Sequence, residues 1–432
     1  MDAEDDRSYR PRWLRWAPFL GRPPELTRRQ WRVLGLVAIV SLFEQYDVYL
    51  LSLSLKQIQA DLGIAEAQLG LLGSLVRSGS LFAVCVTLLA DRLGRRRVLV
   101  WTVMAYTLFT GATAFAPGPL TFLVFQFLSR VFSAAETFLA VVVIAEEFDA
   151  KHRGWGIGAL GALQACGAGV AALAFGLVDV LPFGWRALYA VGLGPLLLIA
   201  WWRRTLPETP RFAALERERA AAATGHTLLA PARALARSYP GRFAALALAV
   251  FALEAVVAPA AFFAPKFLQD VHGWRPASVA GLTLVGGAFA IVASPLAGWL
   301  SDRSGRKPVT VLFALAFVIA TVAFYRVHSE LGPALWVLMI FGLLGSQVIL
   351  SAYGAELFPT SQRSTASGAR GFFSTAGAVS GLALVSLLFG LLGSNWLAIV
   401  SLSALALLTP LAVALFFPET AGRSLEEIAP ER

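Results

Sequence analysis

The amino-acid sequence predicts an all-α integral membrane protein of twelve spanning helices, arranged as two pseudo-symmetric six-helix bundles with both termini in the cytoplasm. Three observations predict this fold: the composition, a series of apolar stretches and an internal repeat. Hydrophobic residues make up 57% of the 432 residues and charged residues only 15%, and the mean hydropathy is +0.67. Water-soluble domains of this length do not have such a composition.

The apolar stretches have the length of membrane-spanning helices, which need about 20 apolar residues to cross a bilayer. Strands of membrane barrels are about half as long and alternate in polarity, so continuous apolar runs favour helices. The twelve predicted spans, numbered 1 to 12, cover residues 33–55, 67–89, 98–116, 120–144, 155–178, 185–202, 243–265, 277–300, 309–326, 334–355, 364–391 and 395–417.

The sequence repeats itself after half its length. Asp91 in LLADRLGRRR and Asp302 in GWLSDRSGRK are 302 − 91 = 211 positions apart, and Ala145 and Ala355, which begin AEEF and AELF, are 355 − 145 = 210 apart. The repeat predicts a basic N-terminal segment, two bundles joined by a cytoplasmic linker, and a cytoplasmic tail, which cover residues 1–32, 33–202, 203–242, 243–417 and 418–432.

Basic residues predict the orientation and the compartment. With cytoplasmic termini, 28 of the 36 lysines and arginines lie on the inner side, and five, including Lys266, lie in outside loops. Cytoplasmic loops carry such an excess, so the formal charge of +9 is interpreted as a topology signal facing the lipid bilayer, and no nucleic-acid partner is expected. The 32 arginines against 4 lysines are typical of a GC-rich bacterial genome, which predicts the inner membrane.

Chemistry other than transport finds little support in the sequence. The four histidines fall in predicted loops, and Cys85 and Cys166 lack a metal-ligand spacing, so no metal and no other cofactor is expected. GIGALG at 156–161 matches a dinucleotide-binding pattern formally, but it opens an apolar helix instead of following a strand. An enzyme is therefore not expected, and a sensor would carry an added signalling domain.

Ionisable and polar residues inside the predicted spans mark the candidate site, because a charge in the membrane costs several kcal/mol and usually lines a cavity. Glu44 and Asp47 share one face of span 1 at positions i and i+3. Glu254 is the duplicate of Glu44, since 254 − 44 = 210, and the halves are expected to face each other with one carboxylate each. The predicted substrate and proton site comprises Glu44, Asp47, Arg77, Gln126, Arg130, Glu136 and Glu254.

The loop motifs resemble those of the major facilitator superfamily of secondary transporters. D-R-x-G-R-[RK] occurs after spans 2 and 8, and PETPRF, AELFPT and PETAGRSLEEI after spans 6, 10 and 12 are similar to the sugar-porter branch. Glu44 to Asp47, EQYD, is similar to the DGxD element of metabolite:proton symporters. The resemblance implies a single-chain transporter that works by alternating access.

By the same resemblance, the loop residues would form a cytoplasmic gate. Positive-inside topology alone explains the arginines, but not acids at fixed spacing. The gate would comprise Asp91, Arg92, Gly94, Arg95, Arg96, Glu146, Arg153, Glu208, Asp302, Arg303, Gly305, Arg306, Glu356, Arg363 and Glu419.

The resemblance also implies a proton-coupling pair. Sugar porters and their relatives pair an acid in span 1, here Asp47, with an arginine in span 4, whose position falls on Gln126, one turn from Arg130. We expect Asp47 or Glu44 to carry the proton, with Arg130 and Arg77 as partners and Glu136 as a second candidate. The alternative is a set of static ion pairs that hold the N-terminal half together.

The residues of span 7 bear on the substrate. Ala252, Leu253 and Ala258 replace the glutamines and asparagine of the sugar-porter pattern, and sugars need many hydrogen bonds. The sequence therefore predicts proton symport of a carboxylate or aromatic metabolite, whose carboxylate could pair with Arg77 or Arg130. The alternative is proton-antiport export of hydrophobic or cationic drugs through Glu44, Glu136 and Glu254, and sugar transport is the least favoured.

Overall fold

The computed structural model describes residues 8–9, 11, 23–93, 95–149, 152–203, 230–326, 330–359, 362–423 and 425–429. Most of the predicted N-terminal segment and linker lies outside these residues. Two short strands, β1 (Ser8–Tyr9) and β2 (Leu26–Thr27), pair antiparallel. The rest of the described secondary structure is helical.

The first half of the chain forms seven helices and the second half nine. The first seven are α1 (Arg28–Leu53), α2 (Leu55–Leu62), α3 (Leu69–Leu93), α4 (Arg95–Thr113), α5 (Pro119–Glu147), α6 (Arg153–Phe175) and α7 (Trp185–Arg203). The other nine are α8 (Ala230–Ser238), α9 (Pro240–Asp270), α10 (Pro276–Ser304), α11 (Arg306–Arg326), α12 (Gly332–Glu356), α13 (Arg363–Leu392), α14 (Asn395–Leu402), α15 (Leu408–Phe416) and α16 (Leu425–Ile428).

Ten stretches of the described residues are long and apolar enough to cross a membrane. The tenth, Asn395–Phe416, runs through α14, a short 3-10 turn and α15. The two remaining predicted spans correspond to α4 and α7, each of 19 residues. Apolar side chains such as Leu108, Ile291 and Leu391 are exposed, as expected for residues that face lipid. The twelve-helix fold predicted from the sequence is confirmed.

Local sequence signals set several helix ends. Thr27 caps α1, because its hydroxyl accepts from the Gln30 backbone N–H at 3.2 Å while Gln30 Oε1 accepts from the Thr27 N–H at 3.0 Å. Proline occupies the first turn of α5, α9 and α10, where its missing N–H costs nothing.

The chain divides into two compact units. Unit 1 comprises residues 1–57 and 79–224, and unit 2 comprises residues 58–78 and 225–432. The division falls inside α3, because its first part packs on α13 of unit 2: the Ser74 hydroxyl donates to the Val379 carbonyl at 2.8 Å. The sequence repeat had placed residues 58–78 with the N-terminal half.

Helix α9 extends past the predicted end of span 7. It continues to Asp270, so Lys266, which was expected in an outside loop, lies inside the helix and is only 2% exposed. Its ammonium group is paired with Asp270 and lies 2.8 Å from Glu66 Oε1. A buried cation needs such partners, and both are too distant along the chain or too local to alter the hydropathy pattern.

Candidate functional site

Helix α1 carries the two acids of the candidate site in unit 1. Glu44 is 4% exposed and Asp47 is 6% exposed. They lie one turn apart and face helices α4, α5 and α6, but they have different partners. The two acids are therefore not equivalent.

Glu44 is held by a cation and two neutral donors. Arg130 Nη1 of α5 lies 3.5 Å from Glu44 Oε1. Glu44 Oε2 accepts from the Thr137 hydroxyl and, at 3.1 Å, from Gln164 Nε2 of α6. Arg130 also donates from Nε to the Ser80 hydroxyl at 2.9 Å. An ionised carboxylate is stabilised by such an environment.

Asp47 is held only by hydroxyl groups. Its Oδ2 accepts from Thr110 Oγ1 of α4 at 3.2 Å and from Ser129 Oγ of α5 at 3.3 Å. These two hydroxyl oxygens lie 2.9 Å from each other. Within the described residues, Asp47 Oδ1 has no hydrogen-bond partner although it is buried.

Close packing on both sides of α1 positions these groups. A Cβ at Gly167 of α6 would overlap the carbonyl oxygen of Leu42, so this glycine lets α6 approach α1 and brings Gln164, one turn earlier, to Glu44. On the other side, the Tyr106 hydroxyl of α4 donates to the Phe43 carbonyl at 3.0 Å.

The remaining predicted site residues of unit 1 lie apart from the two acids. Gln126, at the position of the family arginine, donates to Thr113 Oγ1 at 3.1 Å. Glu136 is fully buried, at 0% exposure. Because Arg130 binds Glu44, the arginine one turn from Gln126 serves the first acid of α1 and not the second.

Arg77 and Glu254 belong to unit 2. Glu254, 6% exposed, accepts from Gln347 Nε2 of α12 at 2.6 Å. Arg77 and Arg370 are both near enough to act electrostatically on its carboxylate. Arg77 was expected to serve the acids of span 1, whereas its described electrostatic partner is the carboxylate of α9.

Four of the predicted gate residues meet at one end of unit 2. Arg306 Nη1 lies 2.7 Å from Asp302 Oδ1, and its Nη2 lies 2.9 Å from Glu356 Oε1. The Thr420 hydroxyl donates to Glu356 Oε2 at 2.6 Å. Glu419 completes the group through the backbone of α11.

Glu419 binds the first turn of α11. Its carboxylate accepts from the backbone N–H groups of Arg306 at 2.8 Å and Lys307 at 3.1 Å. Partial burial opposes ionisation, but backbone hydrogen bonds from Ala421, Lys307, Arg306 and Thr420 outweigh it and lower the pKa of Glu419 below its ordinary value. Gly305 has φ +99°, and a Cβ there would lie 2.7 Å from Glu419 Oε2, so only glycine fits.

The other predicted gate residues are not joined to this group. Arg303 lies over the Trp299 ring at 5.5 Å, and within the described residues the Nε atoms of Arg153 and Arg363 have no hydrogen-bond partner. Glu146 is half-buried at the end of α5, where its neighbour Glu147 binds Arg29 at 2.5 and 3.1 Å. Outside the residues whose side chains are described lie Asp91, Arg92, Gly94, Arg95, Arg96 and Glu208.

Sequence reasoning missed the neutral residues that surround the acids. Thr137 and Ser133 follow Arg130 on α5 at spacings of one and two turns, so a helical-face analysis could have found Thr137. Nothing in the local sequence marks Thr110, Gln164 or Gln347, which come from other helices.

Comparison with known proteins gives the family. The Major Facilitator Superfamily model matches residues 37–346 and 277–431. A putative metabolite transport protein of Haemophilus influenzae is 28% identical over 425 residues, which cover 92% of this chain and 98% of that protein. A gallate transporter of Pseudomonas putida is 28% identical over 370 residues, which cover 78% of this chain and 80% of that protein.

A solved structure supports the same fold. The crystal structure of a D-xylose-proton symporter superposes with a TM-score of 0.74 and 17% sequence identity, covering 91% of this chain and 99% of that chain. At this identity the likeness concerns the fold alone. Since the family model spans most of the sequence, the chain belongs to the major facilitator superfamily and is a multi-pass inner-membrane transporter of small molecules.

Proposed function

We propose that this transporter couples the movement of a small aromatic or carboxylate metabolite to that of a proton, in the same direction, by alternating access. Asp47 is the proton carrier. The observation that carries the proposal is the difference between two neighbouring acids: Glu44 is paired with Arg130, whereas Asp47 has only hydroxyl partners and one oxygen without any among the described residues.

The physical reason is the cost of burying charge. An ionised carboxylate without a cation is expensive to remove from water, whereas a protonated one is not. The Thr110 and Ser129 hydroxyls can each donate or accept, so they can serve Asp47 in both protonation states. An acid that binds a proton when buried and releases it when exposed to water on the other side carries one proton per cycle.

Glu44 and Arg130 have a different role in this proposal. Their ion pair, with Thr137 and Gln164 as additional donors, keeps α1, α5 and α6 together. Arg130 is then committed to Glu44, and Asp47 can change its protonation state without leaving a buried cation unpaired.

The substrate class is supported by two arguments. A relative that shares 28% of its residues is named a gallate transporter, and gallate is an aromatic carboxylate. Ala252, Leu253 and Ala258 of α9 are each at most 2% exposed and offer no polar side chain to a sugar. A small aromatic acid, which needs an apolar surface and one cation, fits these residues better.

Export of cationic drugs is the second candidate, but the contacts do not favour it. That function requires buried acids that can receive a cation. Glu44 is bound to Arg130, and Glu254 is bound to Gln347 with two arginines nearby. Of these acids, each already has a donor.

Transport by the purified protein in liposomes tests the proposal. We expect an inward proton gradient to drive accumulation of labelled gallate or another aromatic carboxylate by the wild-type protein. Asp47→Asn should lower gradient-driven accumulation about tenfold or more, in the range expected for loss of a catalytic proton transfer. Exchange of labelled for unlabelled substrate at equal pH should persist.

Asp179→Asn is the matched control, because Asp179 is exposed in the turn after α6 and should behave as the wild type. Proton-driven accumulation by Asp47→Asn at the wild-type level would refute the assignment of Asp47. Efflux of cationic dyes, with no carboxylate transport, would refute the proposed direction and substrate class.

A further inference from the structure

A second buried charged group lies in unit 2, and its arginine on α13 has no assigned role. Glu254 occupies the middle of α9 and accepts a hydrogen bond from Gln347 at 2.6 Å. Arg370 of α13 acts electrostatically on this carboxylate. Arg77 acts on it as well, so two guanidinium groups share Glu254.

The backbone of unit 2 fixes Arg370 close to Glu254. A Cβ at Gly377 would overlap the Phe251 carbonyl, and a Cβ at Gly381 would overlap the Ala255 carbonyl. Helices α9 and α13 therefore touch through their main chains on either side of Glu254. Such contacts allow little movement of one helix against the other.

Gly354 of α12 makes room for the arginine side chain. A Cβ at this position would lie 3.2 Å from Arg370 Cδ and 3.8 Å from its Nε. The side chain thus runs along α12 from a point about 10 Å into α13, given seven residues from Arg363 at 1.5 Å each. It is half-buried.

The guanidinium of Arg370 makes no hydrogen bond and no ion pair within 4.0 Å among the described residues, although it faces Glu254 electrostatically. Guanidinium offers five donors in a planar fork that matches a carboxylate. A half-buried fork without acceptors is unfavourable. An incoming carboxylate would supply the two acceptors that it lacks.

Aromatic residues flank this position on the same two helices. Phe251 lies one turn before Glu254 on α9, and Phe373 lies one turn after Arg370 on α13, where its ring packs against Phe243 at 5.7 Å. Residues three apart share a helix face. An aromatic ring attached to the carboxylate would find apolar surface beside the arginine.

We propose that Arg370 binds the carboxylate of the transported metabolite through a bidentate contact, and that Glu254 competes with the metabolite for the guanidinium. The proposal rests on the proposed function, and it assigns the anion to unit 2 while the proton is carried in unit 1. Glu254 holds the arginine in place when no substrate is bound. The ligand class is a small aromatic monocarboxylate, and its ester or amide would not be bound.

Binding to the purified full-length protein in detergent tests this assignment. Isothermal titration would use gallate and benzoate, each against its neutral counterpart, methyl gallate and benzamide. Arg370→Gln should weaken carboxylate binding about tenfold or more, as expected for losing a charge-assisted hydrogen bond. Arg370→Lys should restore part of it, and binding of the neutral counterparts should not change.

Glu254→Gln provides a second and opposite test. Removing the competing carboxylate should tighten gallate or benzoate binding, whereas a purely structural role of Glu254 would weaken it. Arg275→Gln, at an exposed arginine before α10, is the matched control. An unchanged elution profile in size-exclusion chromatography establishes that each variant is folded.

The outcomes separate the two proposals. Wild-type carboxylate affinity in Arg370→Gln, or tighter binding of the esters and amides than of the acids, would overturn the role of Arg370 and leave the proton role of Asp47 standing. If the wild-type protein bound none of the carboxylates, both this inference and the proposed substrate class would fall.

Discussion

Arg130 Nη1 lies 3.5 Å from Glu44 Oε1, so the arginine of α5 pairs with the first acid of α1 and leaves the second, Asp47, to the hydroxyls of Thr110 and Ser129. This arrangement separates two roles that the sequence could not distinguish. The ion pair stabilises unit 1, and the hydroxyl-bound acid is the candidate proton carrier.

The first prediction concerns the unequal cost of removing each acid. Glu44→Gln should destabilise the protein by about 3 kcal/mol, because it leaves Arg130 as an uncompensated, largely buried charge. Asp47→Asn should cost much less, because no described cation pairs with Asp47. Thermal unfolding in detergent measures both. Replacing Arg130 together with Glu44 by glutamine should recover part of the loss, and equal destabilisation by the two single variants would contradict the assignment.

The second prediction concerns the contact between α6 and α1. Gly167→Ala would place a methyl group against the Leu42 carbonyl, and such overpacking costs about 1–3 kcal/mol. It should also displace Gln164 from Glu44. Gly161→Ala is the control on the same helix, because a Cβ there meets nothing within 4 Å. A melting temperature of Gly167→Ala equal to that of Gly161→Ala would show that the helices do not touch at this point.

The third prediction concerns pH. The pKa of Glu419 is lower in the folded protein than its ordinary value of 4.5, so its ionised form stabilises the fold at neutral pH, and this contribution is lost as the pH falls below about 4.5 through the lowered pKa. At pH 7, Glu419→Gln should cost about 1 kcal/mol, the usual worth of a carboxylate at a helix N-terminus.

In acid, the melting temperatures of Glu419→Gln and the wild type should converge. Glu330→Gln, at an exposed acid before α12, should match the wild type at every pH. A difference between Glu419→Gln and the wild type that grows on acidification would have the wrong sign for this explanation.

The fourth prediction concerns the buried lysine of α9. Lys266→Met should destabilise the protein by about 3 kcal/mol, because Asp270 and Glu66 would lose their shared cation. Glu66→Gln should cost clearly less, since the Glu66 side chain is 42% exposed and Lys266 would keep Asp270. The unfolding temperatures of the two variants decide this, and a larger loss for Glu66→Gln would reverse the order that the burial predicts.

Much of the fold was predictable because membrane-spanning helices follow from hydropathy alone. Continuous apolar runs gave the spans, and the duplicated motifs around Asp91 and Asp302 gave the two halves and the family. The end of span 7 was misplaced, because Lys266 reads as a loop residue until its partners Glu66 and Asp270 are known. Hydropathy cannot detect a charge that is neutralised by a residue 200 positions away.

The candidate site was predictable in part. Charges within apolar spans identified Glu44, Asp47, Arg130 and Glu254 as exceptional, since burying them is expensive wherever they point. Their pairing was not predictable, because Arg130 is within one turn of positions that could serve either acid. The neutral donors Thr137, Gln164 and Gln347 carry no signal of their own, since hydroxyl and amide side chains are common in any helix.

The sequence by itself therefore determined the membrane architecture, the family and the set of buried charges, because these depend on residue type and spacing along one chain. Only the tertiary structure decided which acid Arg130 neutralises, that Arg77 and Arg370 both act on Glu254, and that Gly167 and Gly354 open space for these contacts. Such decisions depend on side chains from different helices meeting within a few ångströms, a distance that sequence separation does not encode.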